Sequence, residues 1–421
     1  MKKYFGYFLT ILVLLSTLLF LVFILQGQEE QLLFEKYSLV ASEINGKEPV
    51  DQESEFEKAA IGDVIAIEEE FILPSFPVSL KYHNYKTTYT YFLVEREMVE
   101  VRSGPSFSET VIKRLSKNDK VNYIETVFVK TGENTSDQWY HITWNDNGDT
   151  LFGFVNSNDV TKRFFQFDKM EKAVNFAQEY ADRGKLTYIN NYKNQTGYAP
   201  FYHGGTVDEF GNERSQSAPG YFDLSNLQEF IYIEDGTLVK YLFTKGDYIK
   251  VQLLSTGETY FVPRKYIPTD QAVTSLKKIV VIDRMNQNEA VYENIQGTWT
   301  MISYSLATTG TVGEYSQITS LGYFYAVERR EQFLYYKDGT YQIQGYAPYV
   351  IRFNGGAYIH GVATNYKYNS KGQIITPPIQ EYSKTIGTVP LSHKCVRNYT
   401  SHAKFLYDWY TPGETIVVVI E

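Results

Sequence analysis

From Tyr89 onward, the sequence consists largely of short segments in which apolar and polar residues alternate, and this feature constrains the fold most strongly. A period of two is typical of half-buried β-strands, and the segments are separated by turn sequences such as Ser103-Gly104-Pro105. Tyr and Phe, which favour strands and bury much apolar area, number 37 and 27. The sequence therefore predicts a mainly β protein, and its length predicts about two to four domains.

The N-terminal segment adds a second constraint, because residues 4–25 form one uncharged apolar run. A helix of this length is long enough to cross a hydrocarbon core about 30 Å thick. Lys2 and Lys3 precede the run, so the positive-inside rule places the N-terminus in the cytoplasm. We predict a single-pass anchor in the cell membrane over 1–28, with the rest of the chain outside the cytoplasm at the cell wall. A cleaved secretory signal is the alternative, but no small-residue cleavage site follows the run.

Charge and cysteine content exclude several classes of function. Residues 29–70 hold 13 Asp and Glu against three Lys, and this stretch accounts for the net charge of −9. We predict an acidic juxtamembrane spacer over 29–88. Composition gives no sign of a basic patch, so no nucleic-acid partner is expected. The single cysteine, Cys395, excludes an internal disulfide, and the six histidines lack metal-ligand spacing, so we predict no metal site.

The first β-rich segment contains VEVRSGPS, VIKRLSKNDKVNYIE, QWYHITW and FGFVNSNDV, in that order, over about 97–161. These motifs resemble a bacterial SH3-like (SH3b) domain. The resemblance implies a small β-barrel over 89–162 that either binds cell-wall peptides or acts as a spacer.

Two further elements precede the C-terminal part of the chain. The amphipathic stretch 165–180 predicts a connecting helix within 163–184, ending near Arg183-Gly184. Residues 230–267 repeat the strand and turn pattern of the first β-rich segment. We therefore predict a second, divergent SH3-like module over 185–270, and a β-insertion of another kind is the alternative.

Cys395 is the candidate nucleophile of the chain. A cysteine needs a base or a cationic neighbour to be held as a thiolate near neutral pH. His393 precedes it by two residues, and His360 lies further upstream. Positions i and i+2 of an extended chain share one face, so His393 and Cys395 are expected to point the same way. Taken alone, this pattern is more often a buried structural pair than a catalytic one.

The sequence around Cys395 resembles the L,D-transpeptidase family, which has a YkuD-type catalytic domain. The family signature is a strand-borne His-Gly, a loop, and Ser-His-Gly-Cys followed by an aliphatic residue and often Arg. Here it reads His360-Gly361 and Ser392-His393-Lys394-Cys395-Val396-Arg397, and the flanking strand pattern agrees over 275–421. The resemblance implies a β-sandwich catalytic domain preceded by one or two small SH3-like β-barrels.

The resemblance also implies a role for each matched residue. Cys395 would take the acyl group of a peptidoglycan stem peptide, and His360 would be the general base. Backbone N–H groups near Lys394 and Cys395 would form the oxyanion hole. The remaining candidates are His393, Ser392 and Gly361, which would shape the site, and Arg397, Tyr358 and Tyr323, which would contact substrate.

Arg397 could instead belong to a framework ion pair, since its fork suits any carboxylate. The resemblance further implies that no cofactor is needed and that carbapenem-type inhibitors acylate Cys395.

Two departures from the family pattern bear on activity. Lys394 stands where the family has Gly, and a positive φ at that position would be costly for Lys. Residues 363–384 lengthen the separation between His360 and Cys395 and are predicted to form an inserted loop, broken at Pro377-Pro378. Such a loop could be a lid or specificity element, or merely a tolerated insertion.

The leading prediction is a membrane-anchored peptidoglycan L,D-transpeptidase. With water as the acyl acceptor, the same site would make an L,D-carboxypeptidase. A catalytically degenerate wall-binding or scaffold protein is a further alternative, and Lys394 favours it. A different cysteine peptidase would place its histidine well downstream of the cysteine, where this chain has only His402, seven residues on.

Overall fold

The computed structural model describes residues 64–421, except 69, 71, 133–134, 147, 269–272 and 381–382. The predicted membrane anchor lies outside the described residues, as does much of the predicted spacer. Among the helices that the structure describes, none is long and apolar enough to cross a membrane. The described strands form three sheets, which define a first, a middle and a C-terminal module.

The first module is an antiparallel sheet of eight described strands. They are β1 (Val64–Glu68), β2 (Thr90–Val94), β3 (Val99–Arg102), β4 (Val111–Leu115), β5 (Lys120–Lys130), β6 (Ser136–Asp146), β7 (Asp149–Asn156) and β8 (Val160–Phe164). Their order in the sheet is β4-β3-β7-β6-β5-β2-β8, and β1 also pairs with β5. Phe92, Val101 and Ile142 lie in its core, as the alternating pattern predicts.

Helix α1 (Phe167–Asp182) follows, inside the range predicted for a connecting helix. It does more than connect, because Met170 and Val174 pack in one hydrophobic core with Ile279 and Val281 of the C-terminal module. The helix therefore covers one face of that module.

The middle module is an antiparallel sheet whose strands are β9 (Leu186–Tyr188), β10 (Ser217–Tyr221), β11 (Phe230–Glu234), β12 (Leu238–Lys245), β13 (Tyr248–Leu253) and β14 (Thr259–Pro263). Their order is β11-β10-β14-β13-β12-β9. β10 lies in a stretch that reads as loop in the sequence. Pairing with β11 over five residues makes it a strand despite Pro219 and Gly220.

The C-terminal module contains eleven described strands and helix α2 (Thr400–Trp409). The strands are β15 (Lys278–Asp283), β16 (Asn288–Ile295), β17 (Thr298–Thr308), β18 (Gly322–Tyr325), β19 (Glu328–Tyr336), β20 (Ile343–Asn354), β21 (Ala357–His360), β22 (Thr364–Tyr368), β23 (Ile374–Gln380), β24 (Val396–Asn398) and β25 (Thr415–Ile420). Their order is β18-β25-β15-β16-β17-β24-β21-β20-β22-β23, and β19 also pairs with β20. The β15–β25 and β21–β24 pairs are parallel.

Alternation along β15 shows how this module is layered. Ile279 and Val281 face helix α1, whereas Val280 and Ile282 face a second core that also contains Leu406 of helix α2. The strand is buried on both faces, which explains its nearly continuous apolar sequence.

The predicted loop at 363–384 is largely a β-hairpin, so this prediction was wrong. β22 pairs with β20 and with β23, and Pro377-Pro378 lies within β23 instead of breaking the chain. β23 is at the edge of its sheet, where a residue without an N–H can be accommodated.

The described part of the predicted spacer also differs from the prediction. β1 pairs with β5, and the chain then runs along β17. The Ser79 N–H donates to the Met301 carbonyl oxygen at 2.9 Å, and the Met301 N–H donates to the Pro77 carbonyl oxygen at 2.8 Å. The acidic composition of 29–70 does not extend to this apolar segment, which we call the strap (residues 72–88).

Candidate active site

Adjacent parallel strands bring the two predicted catalytic residues to one place. In the β21–β24 pair, Ile359 is opposite Val396, and His360 is opposite Arg397. Cys395 directly precedes β24, so its neighbour across the pair is Tyr358. The strand order thus joins the two parts of the sequence signature, although 35 residues separate His360 from Cys395.

The Cys395 thiol lies in a partly buried position against the turn between β20 and β21. Its sulfur is 3.8 Å from the carbonyl oxygen of Gly356, to which it donates. Burial raises the pKa of the thiol, while a backbone hydrogen bond from Tyr358 and the positive charges of Arg397 and Lys394 act in the opposite direction. The resting nucleophile is therefore a protonated thiol that needs a base.

His360 is buried and has the properties of a neutral base. Its Nδ1 lies 2.6 Å from the Gly361 carbonyl oxygen, which makes Nδ1 the protonated nitrogen and Nε2 the basic one. Burial is the main cause that lowers the pKa of His360 to about 4; the charge of Arg397 acts in the same direction and the hydrogen bond to Gly361 opposes it. The edge of the imidazole also packs on Phe333, with ring centroids 5.4 Å apart.

The turn before Cys395 is held by Ser392 but does not follow the predicted extended path. Ser392 is buried, and its hydroxyl donates to the Cys395 carbonyl oxygen. The chain bends at 393–394, so the argument that His393 and Cys395 share a face fails. His393 is instead half-exposed, with Nε2 3.1 Å from Asp338 Oδ2.

Lys394 adopts a backbone conformation that favours glycine. Its φ is +125°, a conformation that costs a non-glycine residue about 1–3 kcal/mol. Its backbone packs closely on Gly310, where an added Cβ would come within 2.6 Å of the Lys394 Cα. The Thr319 hydroxyl donates to the Lys394 carbonyl oxygen at 2.8 Å.

The middle module contributes residues that sequence analysis missed. Lys394 Nζ lies 2.5 Å from Glu234 Oε1 at the end of β11. The hydroxyls of Tyr192 and Tyr358 are 2.9 Å apart. Asp235 pairs with Arg352, which is opposite Tyr358 in the β20–β21 ladder. No local pattern marks these residues, because each contact joins segments far apart in the sequence.

The other predicted residues have different environments. Gly361 approaches Pro348 and Thr400 closely, since an added Cβ would lie 3.0 Å from Pro348 Cγ. Tyr358 is buried, with its ring stacked on Phe333 and its hydroxyl bonded to Tyr192, so its predicted contact with substrate stays a prediction. Tyr323 instead packs on Phe176 of helix α1, with ring centroids 5.4 Å apart, and has a structural role there.

The described residues contain no group of three or more His, Cys, Asp or Glu arranged to hold an ion.

The C-terminal module is similar to known proteins. Residues 277–419 match the family model YkuD, described as the L,D-transpeptidase catalytic domain. The predicted fold class, a mainly β chain with a YkuD-type domain in its C-terminal part, is confirmed. A search of curated proteins finds no match.

Several solved structures are similar to parts of the chain. A fused zinc-dependent amidase, peptidase and peptidoglycan-binding domain-containing protein of Clostridium acetobutylicum is 19% identical over 34% of this chain and 52% of its own, with a TM-score of 0.23. An L,D-transpeptidase of Mycobacterium smegmatis is 14% identical over 42% and 69%, with a TM-score of 0.26. An L,D-transpeptidase in complex with imipenem is 15% identical over 48% and 78%, also with a TM-score of 0.26. The chain thus spans about half the length of the Clostridium protein.

Proposed function

We propose that the protein is a peptidoglycan L,D-transpeptidase in which Cys395 carries the acyl group. The observation that carries the proposal is the β21–β24 register, which sets His360 opposite Arg397, beside the cysteine, within residues that match the YkuD family model. His360 presents a neutral imidazole whose Nδ1 is already bonded to Gly361. Such an imidazole can accept the thiol proton on Nε2.

In the first half-reaction, the Cys395 thiol gives its proton to His360 Nε2 and the sulfur attacks the carbonyl carbon of the third stem residue. The oxygen gains negative charge and is stabilised by the backbone N–H groups of Lys394 and Cys395. The C–N bond to the terminal D-amino acid then breaks. His360 returns the proton to the leaving amine, so the products are a thioester and a free D-amino acid.

In the second half-reaction, an amine of a neighbouring stem peptide attacks the thioester carbonyl and gives a proton to His360. The C–S bond breaks and the sulfur takes the proton back. A new amide cross-link forms and the free thiol is restored. Attack by water would give the carboxypeptidase product, so the acyl acceptor separates these two activities.

A muropeptide assay tests this proposal. The full-length protein in detergent is incubated with a disaccharide-tetrapeptide, and the products are identified by mass. We expect a cross-linked dimer that is absent with Cys395→Ala and with His360→Ala. His203→Ala, at an exposed histidine of the middle module, is the matched control and should leave the yield unchanged. Tripeptide alone would indicate the carboxypeptidase.

A degenerate wall-binding protein is the second candidate function. The observation in its favour is Lys394 at a φ of +125°, next to the candidate nucleophile. A folded wild-type protein that forms no product from several stem peptides, yet binds isolated cell walls, would support this function and contradict the transpeptidase.

Imipenem provides an independent test of the nucleophile. One solved structure similar to this chain is a transpeptidase in complex with imipenem. We expect intact-mass analysis to show one covalent imipenem adduct on the wild-type chain and none on Cys395→Ala. An unmodified wild-type protein would contradict an acylable Cys395.

For localisation, we propose that residues 4–25 anchor the chain in the cell membrane and that the SH3-like segments lie outside, at the wall. The support is the uncharged run and the lysines before it. Protease added to intact protoplasts should remove the C-terminal module, and protection from the protease would contradict this orientation.

A further inference from the structure

The ion pair between Lys394 and Glu234 links the middle module to the residue that precedes the nucleophile. Lys394 Nζ lies 2.5 Å from Glu234 Oε1, and the exposed fractions of the two side chains are only 12% and 14%. The pair spans 160 positions of sequence. A contact of this kind is made only when the two modules dock.

Glu234 is well suited to act as a fixed anchor for Lys394. Its Oε2 accepts a hydrogen bond from Asn354 Nδ2 at 3.2 Å, and the Ser320 hydroxyl also bonds to the carboxylate. Burial alone would raise the pKa of Glu234, but Lys394 and these donors more than offset it and the pKa is lowered. The carboxylate is therefore ionised and held from several sides.

Lys394 needs an anchor because its backbone is in the positive-φ region at +125°. Residues other than glycine keep such a conformation only where their surroundings enforce it. Thr319 holds the carbonyl of Lys394 at 2.8 Å, and Gly310 packs against its backbone. These contacts hold the main chain, while Glu234 alone among the described partners holds the ammonium group.

We propose that Glu234 of the middle module is a positioning residue for Cys395. Acting through Lys394, it holds the 392–395 turn in the conformation that sets the thiol beside Tyr358 and Gly356. The middle module would then be part of the active site and not a spacer. This inference rests on the proposed function insofar as it takes Cys395 as the nucleophile.

A double-mutant cycle tests the inference on the full-length protein, with Glu234→Gln, Lys394→Gly and the combined variant. We expect Glu234→Gln to lower turnover of the tetrapeptide about tenfold, since small misplacements of reacting groups can cost as much as ~100-fold in rate. In the Lys394→Gly background, the same change should alter turnover less than about twofold, because glycine needs no anchor at this φ. A loss of equal size in both backgrounds, or no loss in either, would overturn the inference.

Alkylation by iodoacetamide gives a second readout, and it is specific because the chain has one cysteine. Loosening of the turn should expose the partly buried thiol further, so Glu234→Gln should speed alkylation in the Lys394 background and not in the Lys394→Gly background. Unchanged alkylation in Glu234→Gln would contradict the inference. Alkylation requires no muropeptide, so a protein that alkylates as expected but forms no product would contradict the proposed function alone.

Glu213→Gln is the matched control for module docking. Glu213 Oε1 accepts a hydrogen bond from Gln317 Nε2 of the C-terminal module at 3.2 Å, without contacting Lys394. We expect it to leave both rates within about twofold of wild type. An effect equal to that of Glu234→Gln would mean that docking in general, and not Lys394, is responsible. Thermal unfolding of each variant checks that the compared proteins are folded.

Discussion

Two histidines of the C-terminal module, His360 and His402, differ in their position and in their hydrogen-bond partners. His360 lies beside the strand that follows Cys395, and its Nδ1 is bound to a backbone carbonyl at 2.6 Å. His402 is completely buried on helix α2, with Nδ1 3.0 Å from Glu289 Oε1 and Nε2 2.8 Å from Ser303 Oγ. Only the second has the serine, histidine and carboxylate order of a hydrolytic triad.

The difference shows that a serine, a histidine and a carboxylate joined by hydrogen bonds do not by themselves make an active site. Ser303, His402 and Glu289 have no exposed surface, and the ring of Tyr82 from the strap packs on His402 with centroids 4.8 Å apart. A catalytic site also needs room for the reacting atom. The triad-like cluster is therefore a structural network. His360 is also buried, at 3% exposure, but it lies beside the strand that follows the partly buried Cys395, and this less complete pair is the one we propose as reactive.

The largest expected effect separates the two histidines by activity. His360→Gln should lower cross-linking by ~100-fold to ~10,000-fold, the usual contribution of a general base, with little change in thermal stability. His402→Gln should retain activity in proportion to the folded fraction. Rates in the muropeptide assay and melting curves for both variants check this. A His402 variant that is folded but inactive would break the comparison.

The next largest effect distinguishes the two histidines by their contribution to stability. His402→Ala removes one of the two described partners of the buried Glu289 carboxylate and leaves only the hydrogen bond from Asn398 Nδ2. We therefore expect a loss of about 3 kcal/mol in the free energy of unfolding. Lys404→Ala on the same helix is the control, because its pair with Asp408 is exposed and screened by solvent and should contribute little to stability. Urea unfolding measures both, and equal losses would contradict a structural role for the cluster.

The third effect is pH dependence at His360. Burial lowers its pKa from 6.5 to about 4. The unfolded chain takes up a proton at this site below about pH 6.5, and the folded chain does so only near pH 4, so stability falls as the pH drops through this window. The shift corresponds to roughly 3 kcal/mol.

Urea unfolding at pH 7 and pH 4 measures this dependence, and His360→Gln should remove that part of it. Activity should fall over the lower end of the same window, because a protonated His360 cannot accept the thiol proton. A variant with the same pH dependence as wild type would show that other groups are responsible.

The smallest effect compares two buried serines. Ser392 donates to the Cys395 carbonyl, whereas Ser303 pairs with His402. Each change to Ala should cost about 1 kcal/mol of stability, typical of one hydrogen bond. Only Ser392→Ala should also slow imipenem acylation, by a few-fold, because the turn before the nucleophile loosens. Equal acylation rates in the two variants would show that Ser392 does not hold the turn.

Some parts of the fold could be predicted from sequence because they depend on local patterns. Alternation identified the strands, and apolar spacing at 165–180 identified helix α1. The signature identified His360 and Cys395 as residues to be brought together. The strap and the 364–380 hairpin were missed, since both are extended segments whose pairing depends on distant strands.

The same division applies to the site. Ser392 and Arg397 were identified because they are part of the signature, and Ser392 bonds to the Cys395 carbonyl oxygen. The substrate contacts predicted for Tyr358 and Arg397 stay predictions, whereas Tyr323, chosen as a groove residue, packs on Phe176. Glu234 was missed, because the sequence around a carboxylate at the end of a strand does not indicate which distant residue will contact it.

The sequence by itself determined the mainly β fold and the chemical character of the site: one thiol, two nearby histidines and a lysine in place of glycine. Periodicity and residue type are local properties, and they can be read before the chain is folded. The tertiary structure alone decided which histidine lies beside the thiol strand, that its imidazole is neutral, and that Glu234 pairs with Lys394. These outcomes depend on strand register, burial and module docking, which arise only when segments far apart in the chain come together.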